Sequence, residues 1–169
     1  MDNITKYRKT IIITLLIILI SILFFESITL GKGAEKTAQK FVKHMLEGDA
    51  KACAQLMHDD LIYALDFETK KLFINSFDKK LSSLIEEYKD IYGKSWSYDV
   101  IVIDSFNVDI IYDTFYYTAE YAEEGNAVKV VLEIKHKGRV FFNDKEGTDE
   151  IALIMARYKR KWLVYDFIF

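Results

Sequence analysis

Apolar and polar residues follow three different patterns along the 169-residue chain. Residues 11–25 are uncharged and almost wholly apolar. Between residues 34 and 93, apolar residues recur every three or four positions, as they do on one face of a helix. Beyond residue 97, several segments alternate apolar with polar residues, as half-buried strands do. This order predicts an α+β domain, helices first and strands second, preceded by a hydrophobic segment.

The hydrophobic segment has the length and flanks of a membrane helix. It extends to Leu30 with Glu26 as its only charge, and about 20 helical residues cross a hydrocarbon core of roughly 30 Å. Lys6, Arg8 and Lys9 precede it, and basic residues mark the cytoplasmic side. We therefore predict a single-pass protein of the cell membrane, with a cytoplasmic N-terminus and an extracytoplasmic C-terminal domain. Its predicted parts are a cytoplasmic tail (1–10), a transmembrane helix (11–30), a short linker (31–33) and the exported domain (34–169).

A cleaved signal peptide is the alternative interpretation of the same segment. Thr29, Leu30 and Gly31 offer a passable small-residue cleavage site. The length of the apolar run and the absence of an Ala-x-Ala sequence after it favour the uncleaved helix. Both interpretations export the domain that follows.

Three amphipathic helices are predicted in the first half of that domain. Gly48 is suited to end the first helix, Asp49 to cap the second, Asp66 to cap the third, and Gly93 to end it. The apolar faces of the first and second helices are Ala38, Phe41, Val42, Met45, Leu46 and then Ala50, Cys53, Ala54, Met57, Leu61. The third helix carries the stripe Phe73, Phe77, Leu81, Leu84, Tyr88, Ile91. Such stripes require a broad partner, so the helices should pack on a sheet.

An antiparallel sheet of four to six strands is predicted in the second half. The clearest strand alternates Val128, Val130, Leu132 and Ile134 with polar or exposed positions. Gly138 is expected to end that strand. Turn-forming residues predict a turn at 123–126, a loop at 143–147 and a hairpin at 159–161. Further strands are predicted at 98–104, 110–121, 151–158 and 162–169.

The order of these elements resembles the nuclear transport factor 2-like (SnoaL-like or cystatin-like) superfamily, in particular its small membrane-anchored bacterial members. The resemblance covers residues 34–169 and rests on the Gly48-Asp49 helix break, the long helix ending at Gly93, and the closing hairpin with Trp162 two residues before Val164. The hairpin lacks the glycine common in its turn. The resemblance implies a curved sheet wrapped around three helices, forming a cone with an open end. It implies no single function, because unrelated activities share this fold.

Reactive side chains are concentrated in residues 44–60. His44, Cys53 and His58 lie there, but helical geometry directs them to different sides of two helices. Metal ligands must converge within about 2.0–2.3 Å of one point. We therefore predict no metal site, no cofactor and no catalytic residues. His58, Asp59 and Asp60 at the far end are candidates for a pocket mouth, with solvated helix-end residues as the alternative.

Aromatic residues are abundant and make up 15% of the chain. Strand alternation places Tyr116 on one face of its strand and Tyr117 and Tyr121 on the other, and Trp162 lies in the closing hairpin. Packing within the core is one interpretation. A protein-binding sheet face is the other, and it makes these four residues candidate interface positions.

Charge and the missing catalytic constellation narrow the function. A net charge of −3 gives no electrostatic basis for a nucleic-acid partner. We expect a membrane-tethered, extracytoplasmic interaction or assembly module that is not an enzyme. One version resembles the extracytoplasmic subunits of conjugation and type IV secretion machines. The expected partners are the membrane and other envelope proteins or a second copy.

Two alternatives remain open. One is a binding domain for a small apolar or envelope-derived molecule, which requires a hollow cone with a few polar groups. The other is an isomerase or hydratase, which requires a buried aspartate or histidine inside that hollow. Whether the domain is hollow or filled separates these alternatives from a purely structural module.

Overall fold

The computed structural model describes residues 32–113 and 118–168, with side chains described at 32–110 and 127–167. The helices, in chain order, are α1 (32–47), α2 (Ala50–Leu56), α3 (Asp59–Ala64) and α4 (Lys70–Tyr92). The strands that follow are β1 (Ser97–Asp113), β2 (Thr118–Val140), β3 (Asn143–Tyr158) and β4 (Lys161–Ile168). Residues from Ala34 onward form one compact unit.

The predicted α+β class is confirmed. The four strands form one antiparallel sheet in the order β1-β2-β3-β4, so each strand pairs with its neighbour in the sequence. Within the described residues, no helix combines the length and the apolarity needed to cross a membrane. The predicted membrane helix at 11–30 lies outside those residues.

The helix boundaries agree with the sequence at one break and differ at the next two. Gly48 has a φ of 78°, and the Asp49 side chain accepts a hydrogen bond from the Ala52 amide at 2.8 Å, as predicted for the break between α1 and α2. The predicted second helix is in fact two helices, because Met57 leaves helical geometry and bridges to Val164 of β4. Residues 32–92 therefore form four helices rather than the three predicted.

The predicted cap of the long helix was wrong. Asp66 adopts a φ of 61° in the connection before α4. Thr69 caps the helix instead, accepting a hydrogen bond from the Leu72 amide at 3.3 Å. Both are good capping residues, and the choice depends on how α3 and its connection dock, which periodicity does not encode.

Two of the three predicted turns in the sheet were misplaced. Residues 123–126 are a bulge within β2, because pairing jumps from Ala127 opposite Val108 to Ala122 opposite Asp109. The predicted loop at 143–147 is the first part of β3, and the true turn is Phe141–Phe142. The hairpin turn at Lys159–Arg160 is confirmed.

A single large core joins the helices to one face of the sheet. The predicted stripe of α1 is buried, and the inward row of β2 at Val128, Val130, Leu132 and Ile134 is buried against it. A smaller cluster of Val108, Ala127, Ile154 and Tyr165 lies on the positions that alternate to the other face.

The end of α4 passes very close to the β2–β3 hairpin. Gly93, with a φ of 86°, ends the helix beside the Arg139 backbone. Gly138 lies against the Tyr92 backbone, and Gly147 against the Tyr92 hydroxyl. A Cβ atom at any of these glycines would overlap its neighbour. Gly93 and Gly138, whose nearest neighbours are backbone atoms, therefore permit α4 to dock here.

Candidate functional site

A cavity of about 660 Å³ opens between α4, α1 and the sheet. Its apolar lining comes from every layer of the fold: Phe41, Met45, Leu65, Phe67, Phe73, Phe77, Leu81, Leu84, Ile134, Ile151 and Phe167. The cavity is open to solvent on one side, and its volume lies within the roughly 300–1,000 Å³ of ligand sites.

Aromatic side chains line the end of the cavity nearest the start of α4. Phe73 stacks on Phe77 with ring centroids 5.0 Å apart, and Phe67 meets Phe73 edge-on at 5.4 Å. Phe73 is buried, whereas Phe67 and Phe77 keep part of their surface accessible. The apolar stripe predicted for this helix is thus only partly covered by protein, because part of it faces the cavity.

Five polar residues border the cavity: Ser76, Lys80, Tyr88, Asp149 and Glu150. Glu150 pairs with Glu133, on the positions of β3 that alternate to the other face of the sheet, so its side chain points away from the helices. Asp149 pairs with Ile134 across β2 and β3, on the same inward row as Ile151. Its side chain is 49% exposed. A carboxylate therefore lies at an otherwise apolar position of the row that faces the helices.

A chain of hydrogen bonds holds Asp149 in place. The Tyr88 hydroxyl donates to Asp149 Oδ2 at 2.7 Å, and His136 Nε2 lies 3.0 Å from the same oxygen. The Trp96 indole donates to His136 Nδ1 at 3.1 Å. Because an indole N–H can only donate, Nδ1 must accept, and the proton of the neutral ring is on Nε2. His136 therefore donates to Asp149.

His136 is enclosed by aromatic rings. Its side chain is fully buried, and its ring stacks on Tyr88 at 4.4 Å and on Tyr92 at 5.1 Å between centroids. Trp96 stacks on Tyr88 at 5.1 Å and completes the enclosure. His136 does not line the cavity. Its contact with the cavity is indirect, through the hydrogen bond to Asp149.

Sequence reasoning missed His136 and Asp149. His136 occupies the next inward position after Val130, Leu132 and Ile134, so a histidine continuing an apolar strand row was the available signal. Asp149 had no such signal, because it lies between the predicted loop at 143–147 and the predicted strand at 151–158. Its role emerges only from the pairing of β2 with β3.

Two tyrosines near this region ionise less readily than usual. Burial, and then the hydrogen bond to Asp149, raise the pKa of Tyr88 well above its ordinary range. Burial, followed by the charge of Glu47, also raises the pKa of Tyr98. Tyr88 is thus a neutral hydrogen-bond donor at physiological pH.

The residues predicted at a pocket mouth lie elsewhere. His58 caps α3 by accepting from the Asp60 amide at 3.2 Å, and its ring packs against Tyr158 and Tyr165. Asp59 pairs with Lys70 at 3.4 Å. None of these side chains lines the cavity. The histidine and the two aspartates begin one helix rather than close another.

Of the four aromatic candidates, only Trp162 has a described side chain. Trp162 is partly buried against the main core and does not line the cavity. Tyr116 and Tyr117 lie outside the described residues. Tyr121 pairs with Ile110 through its backbone, and its side chain is outside the described part.

Cys53 is an inert core thiol. It is fully buried, and burial, reinforced by the charge of Asp49, raises its pKa to about 12. Within residues 32–113 and 118–168, no group of three or more histidine, cysteine or acidic side chains is placed to hold a metal ion. No protein-family model, curated protein or solved structure matches the chain.

Proposed function

We propose that residues 34–169 form a binding domain for a small, predominantly apolar molecule held in the cavity under α4. The observation that carries this proposal is the cavity itself, whose volume of about 660 Å³ is lined mainly by aromatic and aliphatic side chains. Leaving apolar surface uncovered costs about 25 cal/mol per Å². A ligand that covers this surface recovers that free energy, which gives the binding its driving force.

The polar border supports binding rather than catalysis. Asp149 is half exposed, and the only fully buried polar residue, among those described, is His136, which is shut away from the cavity by aromatic rings. A general base needs to reach the reacting atom. The arrangement instead suits the fixing of one polar group of a bound molecule.

The proposal is tested with the full chain kept in solution by an amphipathic polymer, using the neutral fluorophore N-phenyl-1-naphthylamine. We expect saturable binding of one probe per chain. Ser76→Phe places a ring in the cavity and should abolish binding. Ser83→Phe, the same change on the exposed side of the same helix, should leave it intact. Absence of saturable binding, or equal binding by both variants, contradicts the proposal.

The cellular setting is proposed from the first thirty residues. We place the domain outside the cell membrane, tethered by residues 11–30, because of the apolar run and the basic residues before it. The nuclear transport factor 2-like cone remains our proposal for the finer fold. Its support is the helix layer on one sheet face with a hollow between the layers.

A second candidate function is the tethered assembly module, with another copy of the chain as partner. Phe141 and Phe142 at the tip of the β2–β3 hairpin favour it, because their side chains are 90% and 89% exposed. Adjacent exposed aromatic rings are common at contact surfaces. Sedimentation of the full chain should then show oligomers that Phe141→Asn with Phe142→Gly converts to monomers. A monomeric wild type contradicts this candidate.

A further inference from the structure

If the proposed function holds, the charged residues around the cavity determine which polar head group a bound apolar molecule can carry. Asp149 contributes a carboxylate on the inward row of β3, and Lys80 contributes one ammonium. A ligand whose carboxylate head lies beside Asp149 would meet a like charge, whereas a cationic head there would meet an opposite one.

Asp149 is built to receive a donor. Oδ2 accepts from Tyr88 at 2.7 Å and from His136 at 3.0 Å, so both known donors are on one oxygen. No described side chain donates to Oδ1. An ionised carboxylate can accept about four hydrogen bonds. Asp149 therefore keeps acceptor capacity, and it lines the cavity.

The same hydrogen bonds also fix the position of the Asp149 carboxylate. Trp96 sets the tautomer of His136, and His136 and Tyr88 approach Asp149 from β2 and from α4. Restraint by donors from two elements limits the rotation of the carboxylate. A preorganised acceptor loses little entropy on binding.

We infer that the cavity takes an amphiphile with an apolar body and a protonated amine head, which Asp149 accepts as a hydrogen-bond donor. The apolar body lies along Phe73, Phe77 and Leu84 of α4. The amine lies beside Asp149, and Lys80 is the cationic residue that opposes it. Because a charge-assisted hydrogen bond replaces like-charge repulsion, the amine binds at least about tenfold more tightly than the matching carboxylate.

Dodecylamine, dodecanol and dodecanoate test this head-group preference at neutral pH. Each displaces N-phenyl-1-naphthylamine from the full chain, at concentrations below micelle formation. We expect the order amine, alcohol, carboxylate, with the amine ahead of the carboxylate by about tenfold or more. Equal displacement by amine and carboxylate, or a preference for the carboxylate, overturns the inference.

Substitutions assign the preference to Asp149. Asp149→Asn keeps the size of the side chain and should bring the affinities for amine and carboxylate to within about threefold of each other. Glu146→Gln removes an exposed charge from the same strand, outside the cavity, and should leave the preference unchanged. An unchanged preference in Asp149→Asn also overturns the inference. Failure of the probe to bind the wild type refutes the proposed function instead, so the two failures are distinguishable.

Discussion

The Tyr88 hydroxyl donates to Asp149 Oδ2 at 2.7 Å, and this hydrogen bond ties α4 to β3 at the border of the cavity. The tyrosine gives the long helix a polar attachment to the sheet at a point where apolar packing is interrupted. The aspartate gains a fixed position. One contact thus serves both the fold and the proposed ligand site.

Tyr88→Phe should lower the free energy of unfolding by about 1–3 kcal/mol, because a hydrogen bond to a charged group is lost. Urea unfolding at neutral pH measures it. Tyr63→Phe is the matched control, since the Tyr63 ring is 63% exposed, and it should change stability by less than about 0.5 kcal/mol. Equal effects from the two variants would show that the Tyr88 hydrogen bond contributes nothing.

His136 should be the Nε2–H tautomer in the folded protein, because Trp96 donates to Nδ1. Imidazole ¹⁵N chemical shifts report the protonated nitrogen. Trp96→Phe removes the donor and should allow the Nδ1–H form to appear. A wild-type spectrum with the proton on Nδ1 would contradict the hydrogen-bond chain from Trp96 to Asp149.

The Cys53 thiol should make the protein less stable in alkali. Its folded pKa of about 12 lies above its ordinary value of 9.0, so the folded state binds more protons between these values. The free energy of unfolding therefore falls as pH rises from about 9 to about 12 and does not depend on the thiol below that range.

Cys53→Ala tests this alkaline effect by its slope rather than by its overall stability. Tyr88 and Tyr98, whose pKa values are also raised, keep their share of the decline in both proteins. The alanine variant should show the shallower decline in urea unfolding measured across the alkaline range. Parallel curves would count against the buried-thiol account.

The Phe141–Phe142 turn should be strained. Both residues have positive φ, at 50° and 75°, which side-chain-bearing residues rarely adopt, and their rings are almost fully exposed. Phe141→Asn with Phe142→Gly supplies the residues that such two-residue turns prefer. We expect an increase in the free energy of unfolding of about 1–2 kcal/mol.

The second hairpin is the matched control for this prediction. Lys159 and Arg160 have φ values of 45° and 68°, so Lys159→Asn with Arg160→Gly should give a similar increase. A gain at 159–160 without one at 141–142 would mean that the phenylalanine rings stabilise the folded state by contacts of their own. Thermal unfolding of both double variants measures the two changes in stability.

Periodicity predicted the parts of the fold that depend on a repeated apolar face. The α1 stripe around Phe41 and the β2 row around Val130 are buried as expected, since each repeats over several turns or residue pairs. The class of the domain follows from the order of those elements. The sequence also predicted Asp49 as the cap of α2, because Asp49 is a good capping residue directly after the helix-ending Gly48.

The candidate site could not be predicted from the same patterns. His136 and Asp149 meet only because β2 turns at Phe141–Phe142, which sets Val140 opposite Asn143 and hence Ile134 opposite Asp149. Two phenylalanines carry no turn signal, whereas the residues at 143–147 do. The sequence pattern therefore placed the turn too late and left Asp149 outside the predicted strand, which begins at 151 rather than at 143.

The central claim is that the cavity under α4 binds an apolar molecule. Methyl NMR of the full chain during titration with N-phenyl-1-naphthylamine tests this claim most directly. Leu84, Ile134 and Ile151 line the cavity, so their methyl groups should show nuclear Overhauser effects to the probe. Leu153 and Val164 are fully buried in the core away from the cavity and should show none. Contacts confined to surface methyl groups, or absent from all three cavity residues, would contradict a ligand site under α4.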